Sequence, residues 1–413
     1  MEKLAPSKKN FILLIIISAF RFMGDSYFYS FLTRYFKTFI TDDFQLGLLT
    51  ALIPFMAVIG NLLVSNVATS FRKRKIIFLI WTVLESAGII AFGFYKAFWY
   101  VLVLDIICNF CSNSFYNLWD TFLVAITDRA GKSYASGRFF GTLFYLIGVF
   151  SGGLVLTDIG YPFTFLIAGS MMIIAGIFFL FLTFTNEDIA KMDREEDSGG
   201  KSTYKEVFKN KGFILYMFVA AVFLGCIWAS DNIFNQYTAD LKVNDRDFGF
   251  SYGSTMIGEG LMLLLFSRVK KPSTFKKLLM ASIAIFIFRV TMFAIPNLNP
   301  TVYLVVESLR GVSYGLILVT NINLIKNILG VKLRYPGFFL LVAIDELFAA
   351  IVDLVGPRII TLSSYTVMFS SFAALGALCL LGLFFVKLNP PLEENLKEKT
   401  SKQEEEQKPI INA

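Results

Sequence analysis

Fourteen ionisable side chains lie inside apolar stretches of this 413-residue sequence, and their types limit the chemistry that it can perform. They are four arginines and ten acids: Arg21, Arg138, Arg289, Arg310, Asp25, Glu85, Asp105, Asp120, Asp231, Glu259, Glu307, Asp345, Glu346 and Asp353. A charge at the centre of a membrane helix costs about 2.5–3.5 kcal/mol. If half of them were central and faced lipid, the cost would be roughly 20 kcal/mol, more than a typical folding stability. These groups must therefore face one another, a protein interior or a watery cavity, as residues on substrate or ion pathways do.

A polar stripe follows the fourth apolar segment. It consists of Asp105, Asn109, Asn113, Asn117 and Asp120, which fall within about 120° of one another at 100° per residue. Such a face either lines a cavity or hydrogen-bonds to a neighbouring helix. The two carboxylates favour cavity lining.

Asp120 and Arg138 stand on either side of a short loop, on consecutive helices that must run antiparallel. A carboxylate and a guanidinium that meet there can share hydrogen bonds or hold the hydroxyls of a sugar between them. Tyr145 lies about two turns beyond Arg138 on roughly the same face, where its ring can stack on a pyranose. The alternative is a structural salt bridge beside a core tyrosine.

The second half of the chain carries a group of six ionisable residues: Arg289, Arg310, Glu259, Glu307, Asp345 and Glu346. Glu307 and Arg310 are i,i+3 neighbours on one predicted helix face. Two cations cannot neutralise four acids, so we expect at least one carboxylate to hold a proton. An acid that exchanges its proton as its exposure changes is a coupling group. Glu259, Asp345 and Glu346 are the candidates, and a purely structural charge network is the alternative.

The elements that position these residues are predicted to be membrane helices. The chain is 56% hydrophobic with a mean hydropathy of +0.64, unlike a soluble domain. Twelve apolar runs are each long enough to cross a hydrocarbon core of about 30 Å: 11–33, 46–69, 76–95, 97–127, 136–157, 162–185, 213–236, 249–267, 278–296, 301–325, 336–356 and 362–386. The first run contains Arg21 and Asp25, so we expect a retained helix rather than a signal peptide.

The basic residues sort by loop, which predicts orientation. The N-terminus, the even-to-odd loops and the tail hold 28 of the 38 Lys and Arg residues, and the opposite loops hold six. The remaining four are the intramembrane arginines. The positive-inside rule then places both termini in the cytoplasm of a cell-membrane protein. The net charge of +7 therefore reflects topology rather than nucleic-acid binding.

Two halves are visible along the chain. Residues 186–212 form a charged segment with Gly and Ser, predicted as a cytoplasmic linker between six-helix bundles at 1–185 and 213–387. Basic clusters follow the second helix of each half at an offset of about 200 residues, the weak internal repeat of six-plus-six transporters. The polar tail 388–413 is predicted to be disordered and cytoplasmic. The expected fold class is an all-α membrane protein with twelve transmembrane helices.

The absence of histidine limits the chemistry further. No nucleophile–base pair can be argued without it, and there is no nucleotide motif, so we expect no enzymatic activity, no catalytic residue and no cofactor. The cysteines lie in predicted spans, and a metal site is not expected. Any proton transfer must use carboxylates.

The stretch from Asp120 to Tyr145 resembles the sugar-binding core of the lactose permease and oligosaccharide:proton symporter group of the major facilitator superfamily. There, an acid on helix IV is followed eighteen residues later by an arginine in a Gly-Arg-x-x-Gly-like context, and then by a stacking aromatic residue. This chain has Asp120, Arg138 in Gly137-Arg138-Phe139-Phe140-Gly141, and Tyr145 at those positions. The resemblance implies that they bind a sugar, with Asn113, Asn117 and Asn235 as further candidates in the substrate site.

The resemblance also covers the charge network. Glu259 is similar to the glutamate of helix VIII and Arg289 to the arginine of helix IX, while Arg310 stands where the permease has a histidine. Asp25, which is i,i+4 from Arg21, resembles the protonatable acid that many superfamily members carry on helix I. It is therefore the leading coupling candidate in the first half.

Several positions depart from the family pattern. The loop 2–3 motif keeps only its basic end at 72–75, and two helix VII acids of the permease become Asn232 and Asn235, with Asp231 shifted by one. Ser313 aligns with the coupling glutamate of helix X. These departures concern coupling more than the fold or the substrate grip.

The combined expectation is a monomeric secondary transporter of a small polar solute, a sugar or glycoside, by alternating access in the lipid bilayer. Proton symport is the predicted driving force, with sodium as the alternative ion. Two other functions are compatible with the sequence: proton-coupled efflux of amphipathic compounds, and a receptor or assembly protein that has a transporter fold but no flux.

Overall fold

The computed structural model describes residues 6–387 apart from 68–69, 133, 187–188, 190–201, 267–268, 270 and 331–332. Within that part the chain is helical and has no strand. The helices are α1 (Pro6–Tyr29), α2 (Leu32–Lys37), α3 (Asp43–Val67), α4 (Phe71–Phe92), α5 (Phe98–Arg129), α6 (Tyr134–Leu180), α7 (Ser202–Lys209), α8 (Lys211–Asp240), α9 (Asp245–Phe266), α10 (Pro272–Ala294), α11 (Pro300–Glu307), α12 (Leu309–Leu329), α13 (Arg334–Leu362) and α14 (Tyr365–Phe385). The predicted tail 388–413 and much of the predicted linker 186–212 lie outside the described residues.

Nine helical stretches of the described chain are long and apolar enough to cross a membrane. Helices α9 and α13 have 22 and 29 residues but are not among the nine. Both contain several ionisable residues, which lower their mean hydropathy. Those residues include the predicted candidates Glu259 of α9 and Asp345 and Glu346 of α13.

Helix α6 is 47 residues long, about 70 Å at 1.5 Å per residue and enough for two crossings. Its helical geometry breaks at Gly160, where φ is 76° and ψ is 174°. That backbone region is essentially restricted to glycine, and Pro162 follows two residues later. The break falls between the predicted spans 136–157 and 162–185.

Buried aromatic side chains hold the helices of the first half together. Phe78 of α4 stacks on Phe179 of α6 with ring centroids 3.9 Å apart, and both rings also contact Phe122 of α5 edge to face. Aromatic pairs in such geometries contribute about 0.5–1.5 kcal/mol each beyond the area they bury. This packing fixes α5, which carries Asp120, against its neighbours.

We define the near face as the end of the molecule where α1 begins at Pro6, and the far face as the end where α2 ends at Lys37. Contacts that join the two halves through described side chains cluster toward the far face. Arg34, which is 5% exposed, donates to Asp245 Oδ1 at 2.7 Å and to Thr238 Oγ1 at 2.9 Å. Its guanidinium also lies 4.7 Å from the ring centroid of Phe248. One buried cation of the first half therefore binds three residues of the second.

Two further ion pairs join the halves at the far face. Lys37 of the first half lies 2.8 Å from Asp240 of the second. Arg358 of the second half lies 3.6 Å from Asp43 of the first, which also accepts a hydrogen bond from Thr361 at 2.8 Å. We call these pairs and Arg34–Asp245 the far-face latch.

The backbones also approach closely beside the latch. A Cβ atom added to Gly47 of α3 would lie 2.3 Å from the carbonyl oxygen of Leu354 in α13. Any side chain at position 47 would therefore push α3 and α13 apart. Together with the latch, this contact closes the far face between the halves.

We predict that Arg34→Ala shifts the protein toward conformations that are open at the far face. Removing one partner of a buried ion pair costs about 3–5 kcal/mol. Because Asp245 is 22% exposed, we expect a smaller effect, roughly a tenfold change in population, which corresponds to about 1.4 kcal/mol. Pulsed-EPR distances between spin labels at Thr41 and Lys242, one in each half, measure the shift.

Lys96→Ala is the matched control, because this far-face cation contacts Thr38 and Tyr35 of its own half. A distance distribution in Arg34→Ala that matches both the control and the unsubstituted protein would show that the latch does not hold the far face closed.

Candidate functional site

An ion pair between Asp120 and Arg138 joins α5 to α6. Arg138 Nη1 donates to Asp120 Oδ1 at 2.8 Å, and the two side chains are 42% and 38% exposed, with Arg138 the more exposed. Arg138 interacts electrostatically with Tyr314 of the second half. The pair therefore lies near the second half of the chain. The contact is monodentate, so the guanidinium keeps further donors for a ligand.

Tyr134, at the start of α6, is a third member of this group that the sequence did not predict. Its side chain interacts with both Asp120 and Arg138. Partial burial and the nearby Asp120 carboxylate raise the pKa of the Tyr134 phenol to about 12. The phenol therefore stays protonated at neutral pH and can donate a hydrogen bond to Asp120 or to a bound hydroxyl group.

Tyr145 lies deeper along α6 and is held at its hydroxyl. The Tyr145 and Ser30 oxygens are 3.1 Å apart, and Tyr145 interacts electrostatically with Tyr252 and Arg310 of the second half. It therefore also lies near the second half. Seven residues from Arg138 correspond to about 10 Å along the helix axis. The ring thus lies above the ion pair and does not touch it.

The asparagine stripe of α5 is used mainly within the protein. Asn109 donates to Asp105 Oδ1 at 2.7 Å, and Asn113 donates to the Asn109 carbonyl at 2.9 Å and to the Ile53 carbonyl of α3 at 3.4 Å. These hydrogen bonds lie within α5, apart from the one to Ile53, which joins α5 to α3. They use the asparagines for contacts within the protein and not for lining a cavity. The side chain of Asn117 lies outside the described residues.

Asn235 of α8, another predicted substrate-site residue, is 6% exposed. Its Oδ1 atom is buried and has no hydrogen-bond partner among the described residues. The side-chain oxygen of Asn235 therefore accepts no hydrogen bond among the described residues. The side-chain nitrogen of Asn113, by contrast, donates to backbone carbonyls.

Five residues form what we call the N-terminal charge cluster: Arg21, Asp25, Glu85, Tyr29 and Tyr116. Arg21 contacts both carboxylate oxygens of Glu85 at 2.9 Å and Asp25 Oδ1 at 3.1 Å. The three charged side chains are at most 1% exposed. Tyr116 donates to Asp25 Oδ2 and Tyr29 to Glu85 Oε1, each at 2.9 Å. Two carboxylates thus share one guanidinium in a fully buried site.

The second half contains a C-terminal charge cluster of Arg289, Arg310, Asp231 and Glu307. Arg289 Nη1 lies 3.0 Å from Asp231 Oδ1 and 3.4 Å from Glu307 Oε1, while Arg310 Nε donates to the other Asp231 oxygen. All four residues are at least 94% buried. Two cations and two acids balance each other here, with Asp231 as the bridge.

Glu307 and Arg310, predicted as i,i+3 neighbours, interact electrostatically. Their ion-pair contacts, however, are with residues distant in sequence: Glu307 with Arg289, and Arg310 with Asp231. The predicted acids Glu259, Asp345 and Glu346 have no ion-pair partner among the described residues, although Glu259 interacts electrostatically with Arg310 and Arg138.

Glu85, Asp231 and Tyr116 are the principal cluster members that the sequence did not assign to a site. Glu85 and Asp231 were recognised only as acids within apolar segments. Their partners Arg21 and Arg289 are 64 and 58 residues away, so no local spacing could have linked them. For Tyr116 the available signal was its position one helical turn before Asp120 on α5.

The described residues contain no group of three or more Cys, Asp or Glu side chains that could hold a metal ion. The polar groups of both halves therefore offer hydrogen bonds and charge.

Comparison with known proteins identifies a family for this chain. The sequence profile described as "MFS_1 like family" matches residues 13–346. No curated protein sequence matches the chain.

Solved transporters share the fold. The nucleoside transporter NupG superposes with a TM-score of 0.74 at 16% identity, over 91% of this chain and 98% of NupG. The xylose transporter XylE from E. coli, in an inward open conformation, gives 0.71 at 12% identity over 92% and 96%. The POT family transporter PepTSo gives 0.68 at 12% identity over 91% and 97%. The profile match over most of the chain shows that it belongs to the MFS_1 like family, as a multi-pass membrane protein of the major facilitator type.

Proposed function

We propose that the protein is a secondary active transporter of a small polar solute, a sugar or glycoside, which moves by alternating access. The observation that carries this proposal is the exposed Asp120–Arg138 pair, which lies near the second half of the chain. A carboxylate and a guanidinium together offer acceptors and donors at the spacing of sugar hydroxyls. Tyr134 adds a further hydroxyl to the same site.

The proposed architecture is twelve transmembrane helices in two six-helix bundles, 1–185 and 213–387, joined by a cytoplasmic linker at 186–212. The nine apolar stretches, the two less apolar helices α9 and α13, and the break in α6 at Gly160 support this number. We propose that both termini and the tail 388–413 lie on the cytoplasmic side of the cell membrane, which the distribution of basic residues among the loops supports. The near face is then cytoplasmic, and we propose that the protein functions as a monomer.

The closed far face indicates which conformation of the proposed cycle this structure represents. With the latch formed and the Asp120–Arg138 pair exposed, the site would be reached from the near face. Alternating access requires the latch to break when the near face closes. Each latch contact contributes a modest free energy, which suits an interface that must open in every cycle.

For ion coupling, we propose that a proton binds at Asp25. The N-terminal charge cluster holds two carboxylates against one guanidinium at essentially zero exposure. An uncompensated charge in such a place is costly, so the cluster is neutral only when one carboxylate carries a proton. Glu85 binds Arg21 through both oxygens, whereas Asp25 contacts it through one. Asp25 is therefore the acid that can release Arg21 and take a proton at lower cost.

We predict that Asp120→Ala and Arg138→Ala each weaken solute binding at least tenfold. A hydrogen bond to a charged group contributes about 1.5–3 kcal/mol, which corresponds to a tenfold to hundredfold change. Thermal-shift titrations with lactose, xylose and uridine on purified protein measure the effect. Lys96→Gln is the control, since it removes a cation at the far face that is not part of the latch. Binding that survives in both alanine variants would reject the assigned substrate site.

We predict that Asp25→Asn abolishes uphill accumulation of the solute and preserves downhill exchange, because an amide keeps the shape of the side chain but cannot carry the coupled proton. Proteoliposomes with an imposed proton gradient, and separately a sodium gradient, measure both modes. Asp105→Asn is the control, since Asp105 is equally buried but has no cation partner among the described residues. Uphill uptake at the unsubstituted rate in Asp25→Asn would exclude Asp25 as the coupling group, and accumulation driven by sodium alone would exclude the proton.

A further inference from the structure

Four carboxylates inside the apolar stretches of the second half have no ion-pair partner among the described residues. One of them, Asp353 of α13, accepts a hydrogen bond from Asn232 at 2.7 Å. The other three are Glu259 of α9 and the adjacent Asp345 and Glu346 of α13, and none has an assigned place in the proposed cycle. Glu259 and Glu346 are half-buried, while Asp345 is 3% exposed. Asp120 and Asp231, by contrast, each contact an arginine. The three acids lie on two helices of the second half, α9 and α13.

An aromatic pair lies among these acids. The ring centroids of Trp228 and Tyr314 are 5.1 Å apart in an edge-to-face arrangement. Tyr314 interacts electrostatically with all three carboxylates. We call these five residues, Glu259, Asp345, Glu346, Trp228 and Tyr314, the carboxylate–aromatic site.

The nearest guanidinium groups do not neutralise this site. Arg310 and Arg138 both interact with Glu259. Arg310, however, contacts Asp231, and Arg138 contacts Asp120. Each arginine is thus already paired with its own aspartate. With all groups ionised, the carboxylate–aromatic site keeps a surplus of negative charge.

Asp345 supplies a second, independent indication of a ligand. Its Oδ1 atom is buried and accepts no hydrogen bond among the described residues. A buried carboxylate oxygen without a partner is costly, so it requires a proton, a water molecule or a donor group on a ligand. Asp345 interacts with Glu346 and with Tyr314, which places its carboxylate at the carboxylate–aromatic site.

We propose that the carboxylate–aromatic site binds a positively charged amine on the transported solute, so that the substrate class is amine-bearing sugars or glycosides. This inference rests on the proposed function and assigns the three acids to substrate recognition instead of proton coupling. One exchanging acid is enough to couple a proton, whereas three acids around aromatic rings match an organic cation. Aromatic faces attract ammonium groups, and the described residues offer no group of acids that could hold a metal ion.

The amine and the hydroxyl groups of one solute would then be bound by different halves of the protein. Asp120 and Arg138 of the first half bind the hydroxyls, and the carboxylate–aromatic site of the second half binds the ammonium group. Electrostatic interaction between Arg138 and Glu259 shows that the two sets of residues are close. A solute that bridges them would draw the halves together around it.

The test compares three probes that share a pyranose ring: glucosamine, with a protonated amine at mildly acidic pH, and the neutral N-acetylglucosamine and glucose. Dissociation constants are measured by equilibrium dialysis on the full-length purified protein without any ion gradient, so coupling does not enter. We expect glucosamine to bind at least tenfold more tightly than either neutral sugar. Glu259→Gln and Glu346→Gln should reduce glucosamine binding to the neutral level and leave glucose binding unchanged. Asp105→Asn, a buried acid away from the site, should change neither.

The outcomes separate the two proposals. Neutral sugars that bind as tightly as glucosamine, with all binding lost in Asp120→Ala, would overturn the cationic substrate and leave sugar transport intact. A parallel titration with choline covers the case in which no sugar binds. Choline binding that is lost in Glu346→Gln would then support the cation site and contradict the sugar, and absence of binding by all four probes would contradict both. The comparison of probes on the unsubstituted protein needs no variant to fold.

Discussion

The low dielectric of the membrane interior imposes the constraint on which this structure depends: a charge inside the helices needs a partner. An unpaired ion there carries a desolvation cost of several kcal/mol. The chain meets that constraint in two buried clusters. Arg21 is shared by Asp25 and Glu85 in the first half, and Asp231 is shared by Arg289 and Arg310 in the second. Each cluster ties together helices that are distant in sequence and so stabilises one half of the molecule.

The two charge clusters differ in the balance between their cations and their acids. The C-terminal charge cluster has as many cations as acids and needs nothing else. The N-terminal charge cluster has one acid more than it has cations, and its phenol donors Tyr29 and Tyr116 add no charge. An imbalance that a single proton can remove is what a coupling site requires. Tyr116 also stands one helical turn from Asp120 on α5, so the N-terminal charge cluster and the proposed substrate site share a helix.

Where the halves meet, the arrangement is asymmetric. The far face is closed by the latch of Arg34, Lys37 and Arg358 with their aspartates and by the close approach at Gly47. The Asp120–Arg138 pair, by contrast, keeps more than a third of its side-chain surface exposed. Contacts between the halves at the far face, together with a polar pair that stays exposed, fit the alternating access that we propose. The polar residues at the centre can then be exposed to one side at a time.

Hydropathy and charge predicted most of this fold, because both act locally along the chain. The predicted spans 97–127 and 362–386 correspond to α5 (Phe98–Arg129) and α14 (Tyr365–Phe385). The Asp120–Arg138 contact was also predictable, since a short loop forces the two helices to run antiparallel and brings its flanking residues together. The break in α6 at the non-helical Gly160 falls between the predicted spans 136–157 and 162–185.

The sequence by itself determined that this chain forms apolar helices, roughly where they lie along the chain, and which charged residues lie within them. Only the tertiary structure decided which of those charges pair. Glu85 is 64 residues from Arg21, and Asp245 is 211 residues from Arg34. The physical reason is that membrane insertion depends on the composition of each segment. The partner of a buried ion depends instead on the rotation and packing of helices from distant parts of the chain, and this left Glu259, Asp345 and Glu346 without a cation while giving Asp231 two.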